Sequence, residues 1–322
     1  MKTRQIGQTG LRVTEVAFGC ASIGNLYRAV SDADVEAVLE RAWDAGIRYF
    51  DTAPHYGRGL SEQRLKPFLA TRPEAKVSTK VGRVLSPAAH PIPEADSYVN
   101  PAQNDVRYDY SGDGIEESLE QSCDRLGRCG IDIVYVHDIG AYTHGEAGNK
   151  PHMEALLGSG YERLVRLKEQ GRIKAFGLGV NECEVCLDVM KQAGPIDVIL
   201  LAGRLTLLDR SAEAELVPAC QAAGTSLVLG GIFNSGILAT GPVEGATYDY
   251  GPAPKEVLDR VRDLQDQAAG YGLPLATAAL HFAIRHPSAA SVLLGTAKPS
   301  SLTRNLDALS HPLPADAADM LR

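Results

Sequence analysis

The sequence predicts an α/β chain closed into a (β/α)8 TIM barrel, with an N-terminal β-hairpin below it and long loops at its C-terminal mouth. Three observations predict it. Short apolar runs alternate eight times with helix-length amphipathic stretches along 322 residues, and such alternation implies a parallel sheet. No break in composition divides the chain, so residues 1–322 read as a single barrel domain. The first strand is not followed by a complete Gly-x-Gly-x-x-Gly, because Gly19-Cys-Ala-Ser-Ile-Gly24 has the wrong spacing for a Rossmann turn.

The elements follow in order. Residues 4–13 form two short segments around Gln8-Thr9-Gly10, a hairpin signal, and are expected to close the barrel's lower end. The first strand is 15–19. Ser31 and Asp34 then open a helix whose apolar face is Val35, Val38, Leu39 and Ala42, and Gly46 ends it. Strands follow at 47–50, 76–80, 131–136, 173–180, 196–201, 225–229 and 291–294. The intervening helices are expected at 60–70, 114–126, 160–170, 182–192, 212–222, 254–269, 275–284 and 300–309. Three connections, 83–110, 139–159 and 230–253, are too long for plain turns. All three leave the same end of the barrel and are expected to form a rim over a substrate.

Composition narrows the function. Hydrophobic residues make up 44% and charged residues 22%, enough for a sizeable core, and the net charge of −8 argues against nucleic acid or an anionic membrane as partner. There is no apolar run of membrane-spanning length and no apolar signal core at Met1-Lys2-Thr3-Arg4-Gln5, so a cytoplasmic location is expected. Six cysteines are scattered. Cys183-Glu-Val-Cys186 lacks a second pair or nearby histidines for zinc, and His281 and His286 are five apart, off a common helix face. No metal is expected, and no outer helix face carries a pattern from which an oligomeric state could be read.

Four polar residues stand at adjacent strand ends. Asp51 follows the second strand, Lys80 ends the third, His137 follows the fourth, and Tyr56 lies in the loop after Asp51. Taken alone, Asp51 and Tyr56 read equally as a turn cap and a surface phenol. Together the four would converge at a barrel mouth, where such enzymes hold their chemistry. A phenol titrates near 10, too high for a base near neutral pH, and a neighbouring ammonium favours the phenolate. Asp51 would hold Lys80 charged, Lys80 would tune Tyr56, and His137 would orient the reacting oxygen. No serine or cysteine nucleophile with a partner base is evident. A lone tyrosine acid/base suits carbonyl–alcohol interconversion, which requires a hydride carrier.

The motifs bearing these residues are Ala45-Gly-Ile-Arg-Tyr-Phe-Asp-Thr-Ala-Pro-His-Tyr-Gly57, Ser78-Thr-Lys-Val-Gly-Arg83, Asp132-Ile-Val-Tyr-Val-His-Asp138 and Lys174-Ala-Phe-Gly-Leu-Gly-Val-Asn181. In them the chain resembles the aldo-keto reductase superfamily over nearly its whole length. The resemblance implies a catalytic tetrad of Asp51, Tyr56, Lys80 and His137 and a nicotinamide cofactor stretched across the barrel mouth. It implies cofactor contacts from Asn181, Gly19, Gly230, Gly231, Phe233, Gly236, Gly295, Thr296, Lys298, Arg304 and Asn305. Two positions depart from the family: Ala202 stands for the usual strand-six glutamine, and Leu205 for the aromatic that stacks on nicotinamide.

Residues 200–209 and 230–238 are similar to the sugar dehydrogenase branch of that superfamily, which includes D-threo-aldose 1-dehydrogenase (L-fucose dehydrogenase), L-galactose dehydrogenase and pyridoxal 4-dehydrogenase. The expected reaction is oxidation of an aldose such as L-fucose at its hemiacetal carbon to the lactone. Pyridoxal, giving 4-pyridoxolactone, is the alternative. A general aldehyde/ketone reductase and a non-catalytic redox sensor are further alternatives, the intact tetrad speaking against the sensor. Gly295 and Ser301 stand where NADP-preferring members carry a lysine and an arginine, which favours NAD. Lys298 or Arg304 as substitutes would keep NADP open.

Overall fold

The structure is a computed structural model that describes residues 1–314 and Ala317. Eight parallel strands close into a barrel in sequence order: β1 (Val16–Gly19), β2 (Tyr49–Asp51), β3 (Lys76–Val81), β4 (Ile131–His137), β5 (Ile173–Val180), β6 (Val198–Ala202), β7 (Ser226–Gly230) and β8 (Ala289–Leu294). Every strand lies within two residues of its expected place. Below them Thr3–Gln5 pairs antiparallel with Arg12–Thr14, and Ile6, Leu11 and Val13 plug the barrel floor.

Strand alternation sorts the side chains. Phe18, Phe50, Val134 and Val136 face outward onto the helices, while Ala17, Tyr49, Tyr135, Ala175, Val198 and Val228 fill the barrel's interior. The two-residue period that turns Tyr49 and Tyr135 inward also turns Asp51 and His137 inward, one layer higher. Ser78 and Lys80 follow the same rule on β3. In register, Asp51 lies opposite Ser78, and Lys80 opposite Tyr135. The inward layer nearest the mouth is therefore polar, above an apolar floor interrupted by two tyrosines and a serine.

The long connections differ from the expected loops. Arg83–Pro87 pairs with Asn104–Tyr108 as a hairpin, and Glu94–Ala95 pairs with Tyr98–Val99 beyond it. Residues Ala141–Ala155 are helical, broken at Gly145 (φ 68°, ψ 161°), and run through a wide turn at Leu156–Gly160 into the helix Tyr161–Glu169. No residue of Ala141–Ala155 is buried, so the segment shows no apolar period by which to recognise a helix. The third connection holds the short helix Ile237–Thr240 and a two-stranded tip, Thr247–Tyr248 with Gly251–Pro252. The expected helix 212–222 is split into a turn at Ser211–Glu213 and the helix Leu216–Ala223. Among the described residues no helix is long and apolar enough to cross a membrane.

Candidate active site

The four predicted catalytic residues meet at the mouth of β2, β3 and β4. Lys80 is 1% exposed, and its Nζ donates to Asp51 Oδ2 at 2.8 Å, to the Thr52 carbonyl at 3.0 Å and to the Tyr56 hydroxyl at 3.0 Å. Tyr56 reaches that position through a tight turn in which its N–H bonds the Ala53 carbonyl. The next residue is Gly57, with φ +63°, and a Cβ there would fall 2.3 Å from the Gly24 carbonyl oxygen. Only glycine fits. The His137 ring stands perpendicular to the Tyr56 ring, with centroids 5.9 Å apart.

Burial dominates the electrostatics. It pushes the Asp51 carboxyl up, against the pull of Lys80 and of the Ser78 hydroxyl. It pushes the Tyr56 phenol well above its usual value, helped by the Asp51 and Asp138 carboxylates. The expected lowering of Tyr56 by an ammonium is therefore outweighed by burial. Burial, then Arg83, Lys80 and His55, hold His137 well below 6.5, so its imidazole is neutral at neutral pH. Among the described residues His137 Nδ1 is buried without a partner, leaving a polar atom for a ligand to satisfy.

The structure adds a second buried group to these four. Arg83 bonds His55 Nδ1 at 2.6 Å and pairs with Asp138, whose Oδ2 lies 3.4 Å from His137 Nε2. Asp138 takes φ +48°, a conformation that a non-glycine residue adopts at a cost. All three lie within the quoted motifs, one to four residues beyond a barrel strand's end, and that position was the available signal. A cavity of about 370 Å³ opens above, lined by Tyr56, Lys80, His137, Asp138, Asn181 and Tyr250 among others. A larger cleft of about 990 Å³ lies under the hairpin at the opposite end, away from these groups.

Residues 15–322 match the Aldo/keto reductase family. The chain belongs to that family. It is 42% identical to the pyridoxal 4-dehydrogenase of Microbacterium luteolum, over 99% of this chain and 96% of that one. It is 38% identical to the D-threo-aldose 1-dehydrogenase of a Pseudomonas species, over 95% of this chain and 92% of that one. An aldo-keto reductase of Bacillus halodurans, solved in its holo form, superposes with a TM-score of 0.77 at 25% identity, covering 100% of this chain and 95% of that one. The protein is thus an oxidoreductase of the kind that uses a nicotinamide cofactor.

In this aldo-keto reductase the residues expected to hold the cofactor ring the same mouth. Asn181 lines the cavity, and its Nδ2 donates to the Tyr250 hydroxyl at 3.3 Å. The others sit outside the cavity wall. Gly19 ends β1 facing Gly295 beyond β8, and Gly230 ends β7. Gly231 and Phe233 follow, and Gly236 (φ +100°) precedes the helix Ile237–Thr240. Thr296 Oγ1 accepts from the Lys298 N–H, Lys298 precedes the helix Pro299–Ser310, and on it Arg304 bonds Ser301 Oγ at 3.2 Å, with Asn305 half-buried beside it. A side chain at Gly231 (φ +59°) would crowd the Gly203 N–H at 3.0 Å, so the end of β6 and the backbone conformation both call for glycine there. Leu205 is buried in the core, and the aromatic that reaches Asn181 is Tyr250. All six cysteines are free, with Cys183 at the start of the helix Glu184–Gln192 and Cys186 buried within it. Among the described residues no three His, Cys, Asp or Glu side chains are grouped to hold a metal ion.

Proposed function

We propose that the chain, as a single barrel domain over 1–322, is an NAD-dependent dehydrogenase that oxidises a cyclic hemiacetal to its lactone. The observation that carries this reading is the Tyr56 hydroxyl, held 3.0 Å from a buried ammonium at the floor of a small cavity. Bound oxidised nicotinamide supplies the hydride acceptor. The hemiacetal hydroxyl gives its proton to the Tyr56 oxygen in its deprotonated, phenolate form, and its carbon becomes the lactone carbonyl as the hydrogen on that carbon leaves with the C–H electron pair. Neutral His137 donates to or accepts from the reacting oxygen and fixes its distance to Tyr56. Asp51 holds Lys80 against the phenol. In reverse, Tyr56 is the acid.

The two relatives are named for dehydrogenation at position 4 of pyridoxal and at carbon 1 of aldoses, and the formyl carbon borne by the first and carbon 1 of the second are both hemiacetal carbons in the cyclic forms. Tyr27, Tyr98, Tyr142 and Tyr250 line the cavity and favour the flat ring of pyridoxal. The carboxylates of Asp96 and Asp138 in the same wall favour the hydroxyl-rich aldose as the second reading. Gly295 and Ser301 carry no charge where NADP-preferring members carry a lysine and an arginine, which leaves Lys298 and Arg304 as the nearby cations for a 2′-phosphate and supports NAD. Six free thiols suit a reducing cytoplasm. Initial rates with pyridoxal, L-fucose, L-galactose and D-arabinose, each with NAD and NADP, test the reading. Turnover of at least one with NAD is expected. Failure of all four, with brisk reduction of simple aldehydes by NADPH, would replace it with a general carbonyl reductase.

A further inference from the structure

Beneath the tetrad, the barrel interior carries three hydroxyls where apolar groups would fill the same space. Tyr49, Tyr135 and Ser78 are each fully buried among Ala17, Ile133, Ala175 and Val198. They form one line. The Tyr135 and Tyr49 hydroxyls are 3.0 Å apart, Tyr49 reaches Ser78 Oγ at 3.0 Å, and Ser78 Oγ reaches Asp51 Oδ1 at 2.6 Å. Asp51 Oδ2, the other carboxylate oxygen, takes Lys80 at 2.8 Å.

The direction of this line follows from counting protons. A carboxylate only accepts, so Ser78 spends its single proton on Asp51. Ser78 Oγ must then accept from Tyr49, which leaves the Tyr49 oxygen to accept from Tyr135. Every O–H dipole points at Asp51. We propose that Tyr135, Tyr49 and Ser78 are positioning residues, a one-way chain of hydroxyl donors that fixes the Asp51 carboxylate against Lys80 and so sets the proton affinity of Tyr56. The proposal rests on the reading of Tyr56 as the acid/base. Aligned donors strengthen one another in a low-dielectric interior, and a buried hydroxyl without a partner is costly, so phenylalanines would otherwise be the simpler residents. The other titratable groups facing Asp51 are the Cys20 thiol beyond β1 and the Tyr56 phenol itself. Those facing Tyr56 are Lys80, Asp51, His55, His137, Asp138, Cys20, Tyr98 and Tyr250. None of these belongs to the chain of donors.

The consequence has a sign. Losing a donor makes the Asp51 charge harder to keep, and a buried ion pair gives up both charges together. Tyr56 then loses the cation beside it, and removing its proton requires a higher pH. Ser78→Ala, Tyr49→Phe and Tyr135→Phe are compared as cofactor-loaded full chains, reading the pH dependence of kcat for hemiacetal oxidation, cofactor Kd and Tm. The acid limb is expected to move up by about one pH unit in Ser78→Ala, by less in Tyr49→Phe and least in Tyr135→Phe, with Kd unchanged. A structural role would give a different order, with the tyrosines dominating and Tm falling while the limb stays put. An unmoved limb in Ser78→Ala, with Tyr56→Phe inactive, overturns the proposal alone. Turnover in Tyr56→Phe overturns the reading beneath it.

Discussion

The two sides of the barrel mouth are built from opposite materials. At β2, β3 and β4 the mouth is side chain: Asp51, Lys80 and His137 are buried, with Asp51 and Lys80 paired and His137 Nε2 3.4 Å from the Asp138 carboxylate. At β7, β8 and β1 it is backbone, with Gly230, Gly231, Gly236, Gly295 and Gly19 presenting no side chain at all. Proton transfer needs groups whose positions and charges are fixed before the substrate arrives. A long ligand lying along the strand ends needs the reverse, empty space next to amide groups. The comparison therefore predicts that substitutions on the first side alter rate and pH dependence, and that those on the second alter cofactor affinity.

The largest break is expected at Tyr56. Tyr56→Phe removes the transferable proton and little volume, and kcat should fall by about 10³–10⁴. Cofactor affinity, followed by quenching of protein fluorescence, should stay as in the parent chain. A variant that loses both would erase the distinction between the two sides.

Titration separates the sides without mutation. Burial keeps the Tyr56 phenol protonated through neutral pH. Oxidation should therefore climb roughly tenfold per pH unit towards the alkaline range, whereas reduction stays nearly flat between about pH 6 and 8. Stability should respond at the other end of the scale. His55 and His137 are held well below 6.5 by burial and by Arg83 and Lys80, while the unfolded chain takes up protons near that value. Their contribution is complete above 6.5 and is lost as pH falls. Asp51 and Asp138, whose carboxyls are raised, act in the opposite sense but only towards the carboxylate range. A Tm that holds steady down to about pH 5 would contradict this account.

On the glycine side, Gly231→Ala meets φ +59° and a Cβ contact of 3.0 Å with the Gly203 amide. A side chain in that conformation costs about 1–2 kcal/mol, and relief by backbone movement would disturb the neighbouring strand ends. Cofactor Kd is expected to rise about tenfold, with the acid limb of kcat unmoved. A shifted limb with unchanged Kd would invert the comparison.

The sequence made the first side legible and the second only by resemblance. Asp51, Lys80 and His137 each end an apolar strand, and the two-residue period that buries Tyr49 and Tyr135 carries the inward face up to the reactive layer. Chemistry and periodicity pointed to one place. The glycines carry no such mark, because a residue chosen for lacking a side chain leaves no chemical signature. The helix at Ala141–Ala155 escaped for a related reason: it buries nothing and contains Gly145 and Pro151. Arg83, His55 and Asp138 were visible as letters in the motifs. Their joining as a buried group depends on Arg83–Pro87 folding back as a hairpin with Asn104–Tyr108, a long-range pairing that no local pattern encodes.

The smallest effect is expected where the glycine side meets solvent, at the start of the helix Pro299–Ser310. Ser301 lies there half-exposed, its Oγ accepting from Arg304 at 3.2 Å. Ser301→Arg adds a second guanidinium within reach of a 2′-phosphate while leaving Gly295 and the backbone as they are. A charge-assisted pair at an exposed site is screened by salt and contributes about 0.5–1 kcal/mol, so NADP should bind roughly two- to fivefold tighter. NAD, which has no phosphate at that position, should bind as before, and the gain should fade as ionic strength rises. Paired titrations at low and high salt read both quantities at once. Equal gains for NAD and NADP would mean that the new arginine meets the pyrophosphate instead, and that the uncharged Ser301 has no part in the choice between the two cofactors.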